Sequence, residues 1–299
     1  MHARNAAAVE RISRRFADEE VRRSAAQAAA EVPGSLRVES QQRFEIVRRT
    51  QDPVRESPAA PAAPAARPMT AGHRTSWSPV PATAEVAAVE QYRRLAGAVV
   101  RAGSDHGARV FLVTSSLSGE GKSLTTANLA VTLARSYRRE TLVIDADLRD
   151  PSLHEIFNAA NSRGLSDYLR GVADAPAVMT ELSPGLVLMS AGRPTSDPMG
   201  WLTSPRLQEF VARAADTFDV VLVDSPPVML VPDAAMLAPL ADAVILVIGA
   251  ASTPYELIAG AVETIGRDRI LGTVLNRAEP SSVGGRGYGY GYGYGYPRR

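Results

Sequence analysis

The sequence contains no cysteine and, among its 33 basic residues, a single lysine, Lys122. The first absence excludes a disulfide scaffold, a thiolate metal site and a cysteine nucleophile, and it fits a reducing compartment. The second leaves 32 arginines (33 − 1). A chain that uses arginine at every other basic position and keeps one lysine needs a compact point charge there. Long apolar runs are also missing. Residues 243–251 form one of the longest, sized for a buried strand, whereas a membrane span needs roughly 18 or more apolar residues. The N-terminus, MHARNAAAVERISRRF, lacks the apolar core of a signal peptide. A soluble chain is expected, with any membrane role supplied by a partner. An excess of charge is absent too, since 33 basic residues face 32 acidic ones for a net charge of +1. The basic footprint of a nucleic-acid binder is therefore lacking, and no nucleic-acid partner is expected.

What is present divides the 299 residues into three regions. Residues 1–84 are rich in alanine, proline and arginine. Within them 6–31 could form a helix with a thin apolar stripe (Val9, Ile12, Phe16, Val21). The proline-rich stretch 51–84 reads as extended linker, and the region as a whole as mostly disordered. From 85 to 280 short branched apolar runs alternate with helical stretches. Strands are predicted at 110–114, 141–144, 186–189, 220–223, 243–248 and 270–275. Helices are predicted at 122–137, 205–218 and 254–265, the last two opened by a proline. This alternation implies an α/β fold, a mostly parallel sheet covered by helices on both faces. In such sheets ligands bind beyond the carboxyl ends of the strands. Residues 281–299 are a low-complexity glycine/tyrosine tail.

After the first predicted strand comes Thr114-Ser115-Ser116-Leu117-Ser118-Gly119-Glu120-Gly121-Lys122-Ser123. This fits the phosphate-loop spacing G-x-x-x-x-G-K-[ST], with Ser116 in place of the first glycine. Gly119 and Gly121 let backbone N–H groups converge on phosphate oxygens, and the helix that follows offers its own unpaired N–H groups. Lys122 is placed to reach the β- and γ-phosphates of ATP, and Ser123 to give a hydroxyl to Mg²⁺. The nucleotide-binding set is Ser118, Gly119, Glu120, Gly121, Lys122, Ser123 and Leu124. Asn276, ending the last strand, either meets the adenine edge or is an ordinary turn asparagine. Two further strands end in acids, Asp145 and Asp147 after one and Asp224 after the other. Mg²⁺ takes such oxygen ligands directly or through water.

Together these residues resemble the bacterial tyrosine kinases of capsule and exopolysaccharide synthesis, P-loop proteins related to the MinD and ParA ATPases. The resemblance rests on TSSLSGEGKS at 114–123, VIDADLRDP at 143–151, GLSDYLRG at 164–171, FDVVLVDSPPV at 218–228, VLNR at 274–277 and the tyrosine-rich tail. It implies that Lys122 and Ser123 serve the phosphates and Mg²⁺, that Asp147 and Asp224 support the metal, and that Asp145 orients or deprotonates the acceptor hydroxyl. It implies a cytoplasmic autokinase recruited to the inner face of the membrane by a separate membrane-spanning polysaccharide co-polymerase or activator. A tyrosine phosphatase and a homo-oligomer are the other expected partners. The family's E-x-x-R-x-x-R pattern, linked to ring assembly, has Glu90 and Arg93 here but Ala96 at its third position. An arginine expected after the 243–248 strand is Gly249.

The expected phospho-acceptors are Tyr288, Tyr290, Tyr292, Tyr294 and Tyr296. The 16 residue steps from 280 to 296 span at most roughly 50–58 Å, enough for transfer between subunits. Two other functions compete. One is a partner-switching ATPase of the MinD/ParA kind, disfavoured by Leu117 where those proteins carry a further lysine. The other is a non-catalytic nucleotide-binding scaffold.

Overall fold

Every run expected to form a strand does so, and five of the six are extended by one residue at the carboxyl end. The strands are β1 Val110–Ser115, β2 Thr141–Asp145, β4 Leu186–Met189, β5 Val220–Asp224, β6 Ala243–Gly249 and β7 Ile270–Asn276. The added residues, Ser115, Asp145, Asp224, Gly249 and Asn276, are polar or glycine. They lie at the edge where an α/β sheet places its ligand. An additional strand, β3 Met179–Ser183, precedes β4. This computed structural model describes residues 86–278. The expectations for 1–84 and for the tail tyrosines lie outside the described residues.

The seven strands form one sheet in the order β3-β4-β2-β5-β1-β6-β7. All pairings are parallel except β3 with β4. β1 is an interior strand, between β5 and β6. The period-2 alternation of the strands feeds two cores. Phe111, Val113, Val143, Leu222, Ile245 and Val247 face one side. There they meet α1 Val86–His106, α2 Lys122–Ser136 and the short α3 Leu153–Ile156. Leu112, Leu142, Ile144, Val221, Val223 and Leu246 face the other. They are covered by α4 Leu165–Leu169, α5 Pro198–Leu202, α6 Pro205–Thr217, α7 Asp233–Leu237 and α8 Tyr255–Ile265. Burying each large apolar side chain contributes about 1.5–3 kcal/mol.

Local chemistry sets the helix starts. Pro205 opens α6 while the Ser204 hydroxyl accepts from the Leu207 N–H. Pro254, predicted as the first residue of its helix, is instead the extended residue before α8, at ψ 142. On α1, Glu90 and Arg93 pair on the surface at 3.4 Å. Ala96 is 0% exposed and belongs to the core against α2. The third position of the ring pattern is thus a packing site in this chain, with no room for a solvated guanidinium. No helix among the described residues is long and apolar enough to cross a membrane.

Candidate functional site

The loop from Ser116 to Gly121 leaves the carboxyl end of β1 and runs straight into α2. Its two glycines adopt left-handed backbone, φ +78 at Gly119 and φ +93 at Gly121, which side chains rarely tolerate. A Cβ on Gly119 would meet nothing within 4 Å, so this stretch opens outward. Gly121 is the residue before α2, and no side chain caps the helix. Its first N–H groups and positive dipole end are therefore available to an anion. Ser118 and Gly119 are exposed. Leu124 packs its side chain on the core beneath, so only its backbone can serve a nucleotide.

Three acids close on this loop. β2 and β5 pair with Asp145 beside Asp224 in register. The Lys122 ammonium donates to Asp147 Oδ2 at 2.8 Å and to Ser123 Oγ at 3.2 Å, and lies 3.9 Å from Asp224 Oδ2. Ser123 donates to Asp224 Oδ2 at 2.6 Å, and Thr126 to Asp224 Oδ1 at 3.2 Å. Asp145 accepts the Leu153 N–H on Oδ2 at 3.1 Å, while its buried Oδ1 has no partner.

The charge balance decides what the cluster can hold. Asp145 and Asp224 are 0% exposed and Asp147 2%, around one ammonium. Burial would lower the Lys122 pKa, but the charges of Asp224 and Asp147 outweigh it and raise the value. Burial pushes the Asp145 carboxyl well above the usual carboxylate range, with the Asp224 charge adding to it. Asp224 is raised as well, chiefly by burial, with Lys122 and Ser123 opposing. Three carboxylates against one cation leave room for a hard divalent ion, and the donors are all oxygens. Among the described residues no three His, Cys, Asp or Glu side chains are grouped to hold a metal by themselves. That suits Mg²⁺, which is commonly held by one or two protein oxygens together with phosphates and water. Ser123, Asp147 and Asp224 fit that part.

Some residues take positions that the sequence did not suggest. Asn276 donates from Nδ2 to the Glu120 carbonyl at 2.8 Å, and a Cβ on Gly121 would come within 2.1 Å of that nitrogen. It braces the loop from the end of β7, and this is the contact the structure gives it. Arg149, two residues past Asp147, makes a bidentate pair with the fully buried Asp233 of α7, at 2.8 and 3.0 Å. The pair pins the turn that carries Asp147. Nothing in the spacing of DADLRD reveals a partner 84 positions away. Replacing Arg149 with alanine strands Asp233 without its cation. Breaking a fully buried pair costs about 3–5 kcal/mol, and the partial exposure of Arg149 reduces this to roughly 1–3 kcal/mol. Urea unfolding of Arg149→Ala beside wild type measures it.

A phosphate loop on an interior strand, an uncapped helix behind it and acids on the two strands to one side define a P-loop NTPase. Comparison with known proteins narrows the class. The ParA family model, described as the NUBPL iron-transfer P-loop NTPase, matches residues 107–254. The chain is 34% identical over 202 residues to the tyrosine-protein kinase YwqD of Bacillus subtilis (strain 168), covering 67% of this chain and 85% of YwqD. Identity to the succinoglycan biosynthesis transport protein ExoP of Rhizobium meliloti (strain 1021) is 35% over 191 residues, which covers 61% of this chain but only 24% of ExoP. The kinase domain of the Escherichia coli tyrosine kinase ETK aligns with a TM-score of 0.60 at 27% identity, covering 69% of this chain and 80% of that one. The chain belongs to the bacterial tyrosine-protein kinases.

Proposed function

We propose that this chain is an ATP- and Mg²⁺-dependent tyrosine autokinase that phosphorylates its own C-terminal tyrosines. The observation that carries the reading is the meeting of Lys122, Ser123, Asp145, Asp147 and Asp224 at one phosphate loop, in a chain whose relatives include named tyrosine kinases. Transfer forms a bond between a tyrosine oxygen and the γ-phosphorus and breaks the bond to the β-phosphate oxygen, releasing ADP. The phenolic proton passes to Asp145, whose raised affinity for a proton and unpartnered Oδ1 suit a base. Lys122 stabilises charge on the transferring group. Ser123, Asp147 and Asp224 would hold Mg²⁺, which when bound would neutralise the phosphate oxygens.

Five tyrosines alternating with glycine supply interchangeable acceptors that can enter a neighbouring site. Five phosphates at about −1.5 to −2 each would carry the tail from +3 to roughly −4 to −7, a summed charge that repels a like surface. Relatives such as ExoP, named for succinoglycan biosynthesis and transport, support a role in polysaccharide polymerisation and export beside a membrane-spanning partner.

The test is intact mass after incubation with Mg-ATP and, in parallel, with an activator peptide. Wild type gains up to five phosphates. A variant with Tyr288, Tyr290, Tyr292, Tyr294 and Tyr296 all changed to phenylalanine gains none. Phosphate elsewhere would move the acceptor assignment, and no phosphotyrosine under either condition would overturn the kinase reading.

A further inference from the structure

The loop contains an acid that the phosphotransfer scheme does not use. Glu120 lies between the two left-handed glycines, Gly119 and Gly121, and is 4% exposed. Its carboxylate points away from the open side of the loop. Oε2 accepts the Leu117 N–H at 2.6 Å. Oε1 accepts the Gly249 N–H at 3.0 Å and the Thr253 hydroxyl. Among the described residues no arginine or lysine forms an ion pair with it. A buried anion held only by donors is directional, because charge-assisted bonds are short and geometrically selective.

We propose that Glu120 is a positioning residue whose carboxylate sets the shape of the phosphate loop by strapping it to the turn that follows β6. The proposal rests on the nucleotide reading above. Gly119 and Gly121 give the chain freedom on either side of residue 120, so the side chain between them is the loop's fixed point. Asn276 adds a second hold on the same residue, through its carbonyl. Gly249 itself lies against the strap. A Cβ there would meet Ser252 Oγ at 2.4 Å and Glu120 Cγ at 3.6 Å.

The test is calorimetric titration of the full chain with a non-hydrolysable ATP analogue and Mg²⁺, using wild type, Glu120→Gln, Thr253→Val and the double variant, each with its urea unfolding curve. Glu120→Gln places an N–H against donors and should weaken binding about tenfold or more. Thr253→Val should weaken it a few-fold with an unfolding midpoint close to that of wild type. The double variant should bind no worse than Glu120→Gln, because both changes break one link. A Glu120→Gln protein that binds like wild type overturns the proposal, and so do additive losses. Should Glu120→Gln fail to fold, Thr253→Val decides, and unchanged affinity overturns the strap. A wild-type chain that does not take up the analogue defeats the nucleotide reading itself and the strap with it. A wild type that binds while the variants match it defeats the strap alone.

Discussion

Lys122→Met will lose autophosphorylation by at least about 10²–10³-fold and will also unfold more easily at neutral pH. Both effects have one origin. The ammonium touches Asp147 and lies near Asp224, with the Lys122 side chain only 12% exposed. Its folded pKa is raised, so its stabilisation is fully present below its unfolded value, about 10.4, and is lost only as pH climbs through the higher folded one. At pH 7–8 the contribution is whole. Methionine fills much of the same space but leaves buried carboxylates facing each other. Removing one partner of a fully buried pair costs about 3–5 kcal/mol, an upper figure here because the acids relieve part of it by taking up protons. That relief makes the loss larger at pH 8 than at pH 5. Intact mass gives the activity and urea unfolding at the two pH values gives the stability. A variant as stable as wild type at pH 8 would show that the lysine does not hold the cluster together.

Asp145→Asn should separate the two properties that Lys122→Met loses together. Loss of the base should cut phosphotransfer by about 10²–10⁴-fold. Stability should rise. The folded carboxyl is raised above its unfolded value, near 3.9, by burial and the neighbouring Asp224 charge. Such a group is stabilising below the unfolded value, and that contribution is lost as pH rises through the folded one. At neutral pH wild type therefore carries a desolvated acid that the amide removes. The amide oxygen still accepts the Leu153 N–H. Each kcal/mol of relief appears as about 2–4 °C in Tm for a domain of this size. Melting curves in EDTA at pH 8 and pH 4 are the measurement. The Asp145→Asn protein should melt higher than wild type at pH 8 and lose that advantage at pH 4. A variant that melts lower at pH 8 would mean that Asp145 is held by contacts the charge needs.

Five of the six predicted strands were legible because the sheet buries both their faces, so each reads as a continuous apolar run of a length no helix would have, whereas the mostly exposed edge strand β7 showed itself by its branched residues alone. β3 escaped notice. Met179–Ser183 is an edge strand, buried only at Met179 and half-polar, and it exists because the turn at Gly185 folds it back on β4. The phosphate loop and the acids were visible because their chemistry lies in local spacing. The roles of Glu120, Arg149 and Asn276 were not, since each depends on a partner that only the tertiary fold supplies. Ala96 shows the reverse. The sequence displays a missing arginine, and the fold gives the physical meaning of the alanine as a core contact.

The strap has a consequence for the order in which the molecule becomes itself. Glu120 meets Thr253 and Asn276 across 133 and 156 residues of chain. Contacts of that span form only after large loops have closed, which is the slow part of reaching a parallel sheet. The loop beside β1 is therefore written early in the chain but acquires its working shape late, once β6 and β7 have docked. Folding itself keeps the phosphate grip off until the rest of the sheet is in place.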